Sequence, residues 1–302
     1  MIQNSLQNRP KFSVVIQKDS YKKLVNDTLG DPERARRFVA AISSAVAVNP
    51  ALQECDPGSI LTGALLGESL NLSPSPQLGQ YYLVPYNDKR KGKVAQFQLG
   101  YKGYIQLAIR SGFYKKLNVM PIKQGELVRY DPLEEEITVR LIEDEAEREA
   151  APTMGYYAMF EYVEGCFRKS LYWSREKMIA HADRYSPAFS RKAFENLDKG
   201  LIPQDQLWKY SSFWYKDFDA MASKTMLRQL ISKWGIMSID LQKAYTNDGA
   251  YIRPDGSPEY FDAPEEEAVP ETPAVAPDTD EVLGEGHTGE GDPLNFFGEG
   301  NG

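Results

Sequence analysis

Cations and aromatic rings occur together in one part of this 302-residue sequence. Between Lys89 and Lys116 there are eight Lys or Arg residues and no Asp or Glu, although the whole chain has a formal charge of −8. The aromatic residues in and just before this stretch are Tyr81, Tyr82, Tyr86, Phe97, Tyr101, Tyr104, Phe113 and Tyr114. Cations bind phosphates and flat rings stack on bases, so the combination is typical of a surface for single-stranded nucleic acid.

Hydrolytic chemistry would need a metal or a nucleophile. The two histidines, His181 and His287, have no ligand-like neighbours in the sequence. Asp217 and Asp219 form a candidate carboxylate pair, but on a helix they point about 200° apart and cannot hold one ion together. The phosphate-loop pattern G-x-x-x-x-G-K-[ST] does not occur. We therefore expect no catalytic residue, no metal site and no cofactor, ATP included; a divalent cation that modulates DNA binding is left open.

The elements that carry the cations can be read from the pattern. A strand is predicted over 80–86, a basic turn over 87–93, a second strand over 94–99 and a helix over 101–111 that Gly112 ends. On this helix Lys102, Gln106 and Arg110 share one side with Gly103, where a missing side chain lets a backbone come close. A second helix, over 217–234, has Lys224, Thr225, Arg228 and Ser232 on one side and an apolar arc on the other.

The remaining sequence predicts helices and further strands. Asp31-Pro32 and Asp56-Pro57 are typical helix starts, with a capping carboxylate and a proline at the first position. Alternating patterns over 114–142, and over 154–173 around Glu164-Gly165, predict strands, whereas 143–152 reads as an exposed loop or short helix. Residues 188–215 are rich in aromatic and basic side chains, with Lys209 among them, and have little periodicity. We expect an α+β fold in which a β-hairpin-rich mixed sheet packs with helices.

The charge is unevenly divided along the chain. After Arg253 there is no Lys or Arg, and 14 of the 43 acidic groups lie there, so residues 1–254 carry 35 basic and 29 acidic groups, a net charge of +6. We predict an N-terminal arm over 1–30 with a role in subunit contact, a DNA-binding and oligomerisation domain over 31–247, and an acidic disordered tail over 248–302. The aromatic pair Phe296-Phe297 near the end of the tail predicts a tip that binds a partner.

The composition also indicates in which cellular compartment the protein is expected. Cys55 and Cys166 are far apart and form neither a metal-ligand spacing nor a disulfide framework, so both thiols are expected to be buried and reduced. No apolar run approaches the roughly 20 residues that cross a bilayer, and the start of the chain lacks the apolar segment of a secretory signal. The expectation is a cytoplasmic protein without a membrane partner.

Several motifs together resemble the RecT family of phage and prophage single-strand annealing proteins. They are L-x-P at 72–74, QYYLVPY at 80–86, GYKG at 100–103, LAxRSG at 107–112, DxDxMAxKTxLRxL at 217–230 and KW at 233–234. The resemblance covers about residues 30–247, in the family's order and spacing. It implies an annealing-protein-like α+β core, ATP-independent binding of single-stranded DNA, pairing of complementary strands through an annealed duplex intermediate, and a homo-oligomeric ring or helical filament. It also implies partnership with a 5′ to 3′ exonuclease and a host single-strand-binding protein.

Matching these motifs residue by residue gives the candidate DNA contacts. The resemblance places contact on Lys102, Arg110, Lys224 and Arg228, and more loosely on the hairpin cations Lys89, Arg90, Lys91 and Lys93. The further candidates are Tyr101, Gly103, Lys115 and Thr225, and Lys209 from the aromatic and basic segment 188–215.

Two other classes of function remain open. A nuclease would shorten DNA in a metal-dependent way, and a purely structural assembly protein would explain the acidic tail but not two helices with aligned basic faces. For any single lysine, a solvated surface position is the alternative interpretation, and most of the rings are expected to lie in the core.

Overall fold

The computed structural model describes residues 10–165 and 167–260. The α-helices along these residues are α1 (Phe12–Val15), α2 (Asp19–Leu29), α3 (Pro32–Ala47), α4 (Pro57–Ser69), α5 (Tyr101–Arg110), α6 (Glu145–Ala150), α7 (Arg175–Tyr185), α8 (Arg191–Asp198), α9 (Phe213–Lys216), α10 (Phe218–Trp234) and α11 (Ile239–Asn247). Short 3-10 helices cover Pro50–Glu54 and Gln204–Lys209.

The strands form small antiparallel sheets. They are β1 (Tyr81–Asp88), β2 (Gly92–Leu99), β3 (Tyr114–Lys123), β4 (Leu127–Asp131), β5 (Glu136–Val139), β6 (Thr153–Tyr162), β7 (Arg168–Ser174), β8 (Tyr251–Ile252) and β9 (Pro258–Glu259). β1 pairs with β2, β4 with β5 and β8 with β9, while β3, β6 and β7 form a three-stranded sheet in that order. The predicted α+β fold of hairpins packed with helices is confirmed, with antiparallel pairing where a mixed sheet was expected among the described strands.

Local capping explains where the first long helices begin. The Asp31 carboxylate accepts the Glu33 backbone N–H at 2.8 Å, with Pro32 at the first position of α3. Asp56 does the same for the Ser59 N–H at 2.8 Å at the start of α4. A carboxylate that accepts one of the unpaired N–H groups of a first turn stabilises it by about 1 kcal/mol, so both starts follow from the sequence as predicted.

Helix α4 carries the β1–β2 hairpin. Tyr81 and Phe97 stack across this hairpin at 5.2 Å between ring centroids, and both rings are fully buried. Gly67 of α4 leaves room for them, because a Cβ there would lie 2.3 Å from the Tyr81 ring. The hairpin face that meets α4 is therefore closed to solvent, and its cations lie at the far end.

Helix α10 is the centre of the second half. It packs against α5 and against the three-stranded sheet, and Ala222, Met226, Leu227 and Ile231 are fully buried on it. Because neighbours cover it on several sides, little of its surface is left for solvent. This arrangement changes the interpretation of its basic side.

Both ends of the described chain pack on this body. Phe12, Ile16 and Val25, within the predicted N-terminal arm, are buried in the main core. Beyond Asn247, where the composition predicts the tail, Phe97 N–H donates to the Ala250 carbonyl at 2.9 Å and β8 follows. The structured chain thus extends past 247, while the division into arm, domain and tail and the subunit-contact role of the arm stay predictions.

The segments without clear periodicity fold as short pieces. Residues 143–152 contain α6, and 188–215 contain α8, a 3-10 turn and part of α9. Aromatic packing holds this second segment, with Phe189 within 6.1 Å of the rings of Trp214, Tyr215 and Phe218. Among the described residues, no helix is both long and apolar enough to cross a bilayer.

Candidate nucleic-acid interface

An exposed lysine and three rings meet where α5 begins. Lys102 is exposed in the first turn of α5, and its stem lies against Gly79 together with the Tyr82 hydroxyl. The Tyr82 ring lies 5.1 Å from that of Phe213, and Lys102 Nζ lies 5.9 Å from the ring of Tyr101. We call Tyr82, Tyr101, Lys102 and Phe213 the Lys102 corner. It places an exposed cation beside partly exposed rings, which suits phosphate and base contact.

Two glycines allow the corner to form. A Cβ at Gly100 would lie 2.1 Å from the Gly79 carbonyl oxygen, and a Cβ at Gly103 would lie 2.1 Å from the Gln80 carbonyl oxygen. The start of β1 therefore lies directly on the first turn of α5. The sequence predicts that Gly103 lies on the side open to a ligand backbone. In the structure Gly103 is buried and the backbone that comes close is that of Gln80 in this chain, so the expectation of an open position is wrong, while its contact with DNA stays a prediction.

Tyr82 is held as a neutral phenol. Burial, and then the negative charge of Asp217, raise its pKa above the ordinary value. Asp217 is itself fixed at the start of α10, where its carboxylate accepts the Ala220 N–H at 3.0 Å. The ring can therefore offer an uncharged face and a hydroxyl to a polyanion.

The β1–β2 hairpin carries the densest run of cations. Asp88 shapes the turn by accepting the Arg90 and Lys91 backbone N–H groups at 2.8 and 2.6 Å. Lys89 is exposed in the turn, and Lys93, opposite Asn87 beside the turn, pairs with Glu54. The turn thus groups its cations close together, beside the start of α4 and near β9.

One carboxylate collects three cations at this hairpin. Glu259 of β9 pairs with Lys91, with Arg253 at 2.9 Å and with Arg90 at 3.6 Å. Lys91 also lies 4.4 Å above the ring of Tyr251. Hydrogen bonds from Lys91 and then Arg253 hold the pKa of Glu259 below its usual range. Arg90 and Lys91 therefore share one carboxylate within the chain, which the local sequence did not indicate, and the group of three cations and one anion keeps a net positive charge.

The basic side of α10 faces inward. Lys224 Nζ lies 2.8 Å and Arg228 Nη1 3.1 Å from the carboxylate of Asp248, whose side chain is 4% exposed. The same carboxylate accepts the Leu99 backbone N–H at 2.9 Å. The Arg228 guanidinium also lies 4.2 Å from the ring of Tyr245. Both cations serve a mostly buried network that joins α10 to the end of β2, so the expectation of an open basic face is wrong.

Thr225 belongs to the packed side of α10. It is buried, and its hydroxyl donates to the Met221 carbonyl at 3.0 Å, one turn earlier. The helical periodicity correctly predicted that Thr225 shares a side of α10 with Lys224 and Arg228, but that side packs against the rest of the chain. The expectation that Thr225 lies on an open face is therefore wrong, and its contact with DNA stays a prediction.

The remaining candidates are scattered. Arg110 donates to the Leu70 and Asn71 carbonyls at 2.7 and 3.3 Å and ties α5 to the end of α4. Lys115 pairs with Glu161 of β6 at 2.8 Å. Lys209 is exposed on the 3-10 turn before α9, where its ammonium lies 5.8 Å from its neighbouring Trp208 ring. The structure therefore brings Lys102 and Tyr101 together, groups the hairpin cations and joins Lys224 and Arg228 in one network. Arg110, Lys115 and Lys209 have separate contacts of their own.

The carboxylates and the thiol that chemistry could use are occupied or buried. Asp219 accepts the Tyr156 hydroxyl at 2.6 Å and the Thr153 hydroxyl at 3.3 Å. Burial raises the pKa of the Cys55 thiol to about 11, so it stays protonated at neutral pH; Cys166 lies outside the described residues. Within residues 10–165 and 167–260 no three His, Cys, Asp or Glu side chains come together as a metal site would require.

Known proteins resemble most of this chain. A sequence model described as the RecT family matches residues 36–267. Protein YqaK of Bacillus subtilis strain 168, itself described as uncharacterized, is 41% identical over 212 residues, which are 70% of this chain and 63% of YqaK. Protein RecT of Escherichia coli strain K12 is 27% identical over 218 residues, or 71% of each chain. The match thus spans less than two thirds of YqaK.

Proposed function

This chain belongs to the RecT family, and on that premise we propose that it binds single-stranded DNA and anneals complementary strands in recombination, without ATP. The Lys102 corner is the observation that carries the proposal. An annealing protein must hold phosphates while it leaves bases free to pair, so its contacts should be cationic and tolerant of sequence. An exposed lysine beside partly exposed rings has that chemistry.

The hairpin is the second proposed contact. Lys89 at its tip is exposed, whereas Arg90, Lys91 and Lys93 would reach a phosphate by exchanging Glu259 or Glu54 for it. Such an exchange gives up the ion pairs with these carboxylates, so Glu259 and Glu54 compete with phosphate for the hairpin cations. Lys224, Arg228 and Arg110 are proposed to position the strand-binding surface.

Assembly and partners follow from the family and are part of the proposal. Copies of the chain would associate into a ring or helical filament on the strand and hold the annealed duplex intermediate. A 5′ to 3′ exonuclease would supply the strand, a host single-strand-binding protein would share it, and the acidic tail would recruit one of them. The work would take place in the cytoplasm, and a divalent cation would act only by modulating DNA binding.

The test is annealing itself. Purified full-length protein is mixed with two complementary labelled oligonucleotides without ATP, duplex formation is followed at several salt concentrations, and a gel checks strand length. Accelerated pairing of intact strands, weaker at high salt, is the expected result. Metal-dependent shortening of the strands would favour a nuclease instead. If the protein neither accelerated pairing nor shortened the strands, the interpretation as a structural assembly protein would remain.

A further inference from the structure

A short segment between α8 and α9 displays apolar side chains to solvent. Trp208 is 73% exposed, Leu201 66% and Leu207 40%, all within eight residues. No residue of the 3-10 turn Gln204–Lys209 is buried. Large apolar side chains exposed this close together in sequence are unfavourable in water and are typical of a contact surface. We call Leu201, Leu207 and Trp208 the apolar knob.

An apolar groove lies elsewhere on the same chain. It has a volume of about 510 Å³ and lies between the end of α5 and the start of α11. Its apolar lining includes Phe113, Ile236, Met237 and Ile239, and Ile239 is 83% exposed although it is a large aliphatic residue. We call these four residues the apolar groove.

The knob and the groove lie at opposite ends of α10. At one end, Tyr82 touches both Phe213, just before α10, and the Gly100 start of α5; the knob adjoins this end, since Tyr210 packs on Tyr215 at 5.2 Å. The groove lies where α5 and α10 finish. The 17 residues of α10 span about 25 Å, at 1.5 Å per residue. The knob of a chain therefore lies far from its own groove.

We propose that the apolar knob of one copy inserts into the apolar groove of the next, in a head-to-tail contact between identical chains. A contact between two different surfaces of the same chain closes into a ring or continues as a helical filament, depending on the rotation per copy. The inference rests on the self-association proposed above and names the surfaces that would mediate it.

The charges beside the two surfaces are complementary. The knob carries an exposed acid, Asp205, and an exposed base, Lys209. The groove is bordered by an exposed base, Arg110, and an exposed acid, Asp240. Opposite charges at the rim would select the orientation of the partner, while the apolar contact supplies most of the affinity.

The experiment uses two full-length variants, Trp208→Glu and Ile239→Glu. Both positions are exposed, and glutamate in the first turn of α11 is compatible with the helix dipole, so neither change should disturb folding. Sedimentation velocity is measured with and without a single-stranded oligonucleotide. We expect wild type to assemble, each variant alone to stay monomeric, and an equimolar mixture to form a dimer and nothing larger, because only one intact knob and one intact groove remain between them.

The control and the contrary outcomes are equally specific. Leu133→Glu, at a 90% exposed position in the β4–β5 turn, should assemble like wild type. Assembly of both variants, or a mixture that stays monomeric, would overturn the knob-and-groove contact. So would a Trp208→Glu protein that still assembles but binds DNA more weakly, since the knob would then belong to the strand. If the wild-type protein stayed monomeric and still annealed strands, this contact would be refuted while the proposed annealing function would stand.

Discussion

Lys224 Nζ and the Asp248 carboxylate are joined at 2.8 Å across 24 residues of sequence. Asp248 also receives Arg228 and the backbone N–H of Leu99, the residue just before the Gly100 start of α5. The buried carboxylate thus connects α10 to the segment that presents Lys102. Lys224 and Arg228, the cations that the family motif places on α10, therefore hold the proposed DNA surface in position through this buried network.

Asp248→Asn should destabilise the fold. The amide keeps the shape but removes the charge that compensates two mostly buried cations, and leaving such cations uncompensated costs about 3 kcal/mol. Urea unfolding followed by tryptophan fluorescence gives the free energy of unfolding. Asp240→Asn, at an exposed position, is the matched control and should be neutral; equal stability of the two variants would mean that the network does not hold α10 to β2.

Lys102→Ala should weaken single-strand binding at unchanged stability. Lys102 is exposed, so its removal leaves no buried group unpaired. Loss of one phosphate contact should lower the slope of log K against log salt by roughly 0.7. Fluorescence anisotropy with a labelled oligonucleotide at several salt concentrations measures this slope. Lys23→Ala, at an exposed position on α2, is the comparison, and equal slopes would remove Lys102 from the interface.

Gly103→Ala should be poorly tolerated. The added methyl would meet the Gln80 carbonyl oxygen at 2.1 Å, which is backbone and cannot rotate away. Forcing β1 off α5 should lower the free energy of unfolding by about 1–3 kcal/mol, although alanine is the better helix former. Gln106→Ala, exposed on the same helix, should be neutral or slightly stabilising. A stable Gly103→Ala protein with normal DNA binding would contradict the packing described at this corner.

The features that could be predicted from the sequence are those set by interactions between residues close together in the chain. The capping carboxylates Asp31 and Asp56, each followed by proline, start α3 and α4 as expected, because an N-cap acts within three residues. The β1–β2 hairpin and α10 also follow from alternation and periodicity. Lys102 could be placed on an exposed side of its helix for the same reason.

Long-range partners could not be predicted in this way. A helical wheel shows that Lys224, Thr225 and Arg228 share a side, but it cannot show whether water or another element covers that side. Asp248 and Glu259 lie in the stretch whose composition predicted a tail, so nothing local indicated that they fold back onto α10 and the hairpin. The apolar knob was not predicted because residues 188–215 have little periodicity, so the pattern did not separate exposed from buried aromatic side chains in that segment.

Glu259→Gln should tighten DNA binding at the hairpin. It removes the anion that holds Arg90, Lys91 and Arg253, so these cations become available to phosphates and the salt dependence becomes steeper. The folded-state pKa of Glu259 is lowered, so the wild-type contact persists at neutral pH and is lost as pH falls through that pKa, below the ordinary value of 4.5. Anisotropy at pH 7 compares the variants, with Glu134→Gln in the β4–β5 turn as the control.

Truncation after residue 260 should leave annealing intact. The removed segment has twelve acidic groups and no Lys or Arg, and it lies beyond the last described contact of the body. A protein truncated after residue 255 also lacks Glu259, so it should bind DNA like the Glu259→Gln variant. The two truncations therefore separate the tail's charge from the hairpin contact in the same annealing and anisotropy assays. Lost annealing in the shorter deletion would make the tail part of strand pairing, and equal DNA affinity of the two truncations would show that Glu259 does not restrain the hairpin.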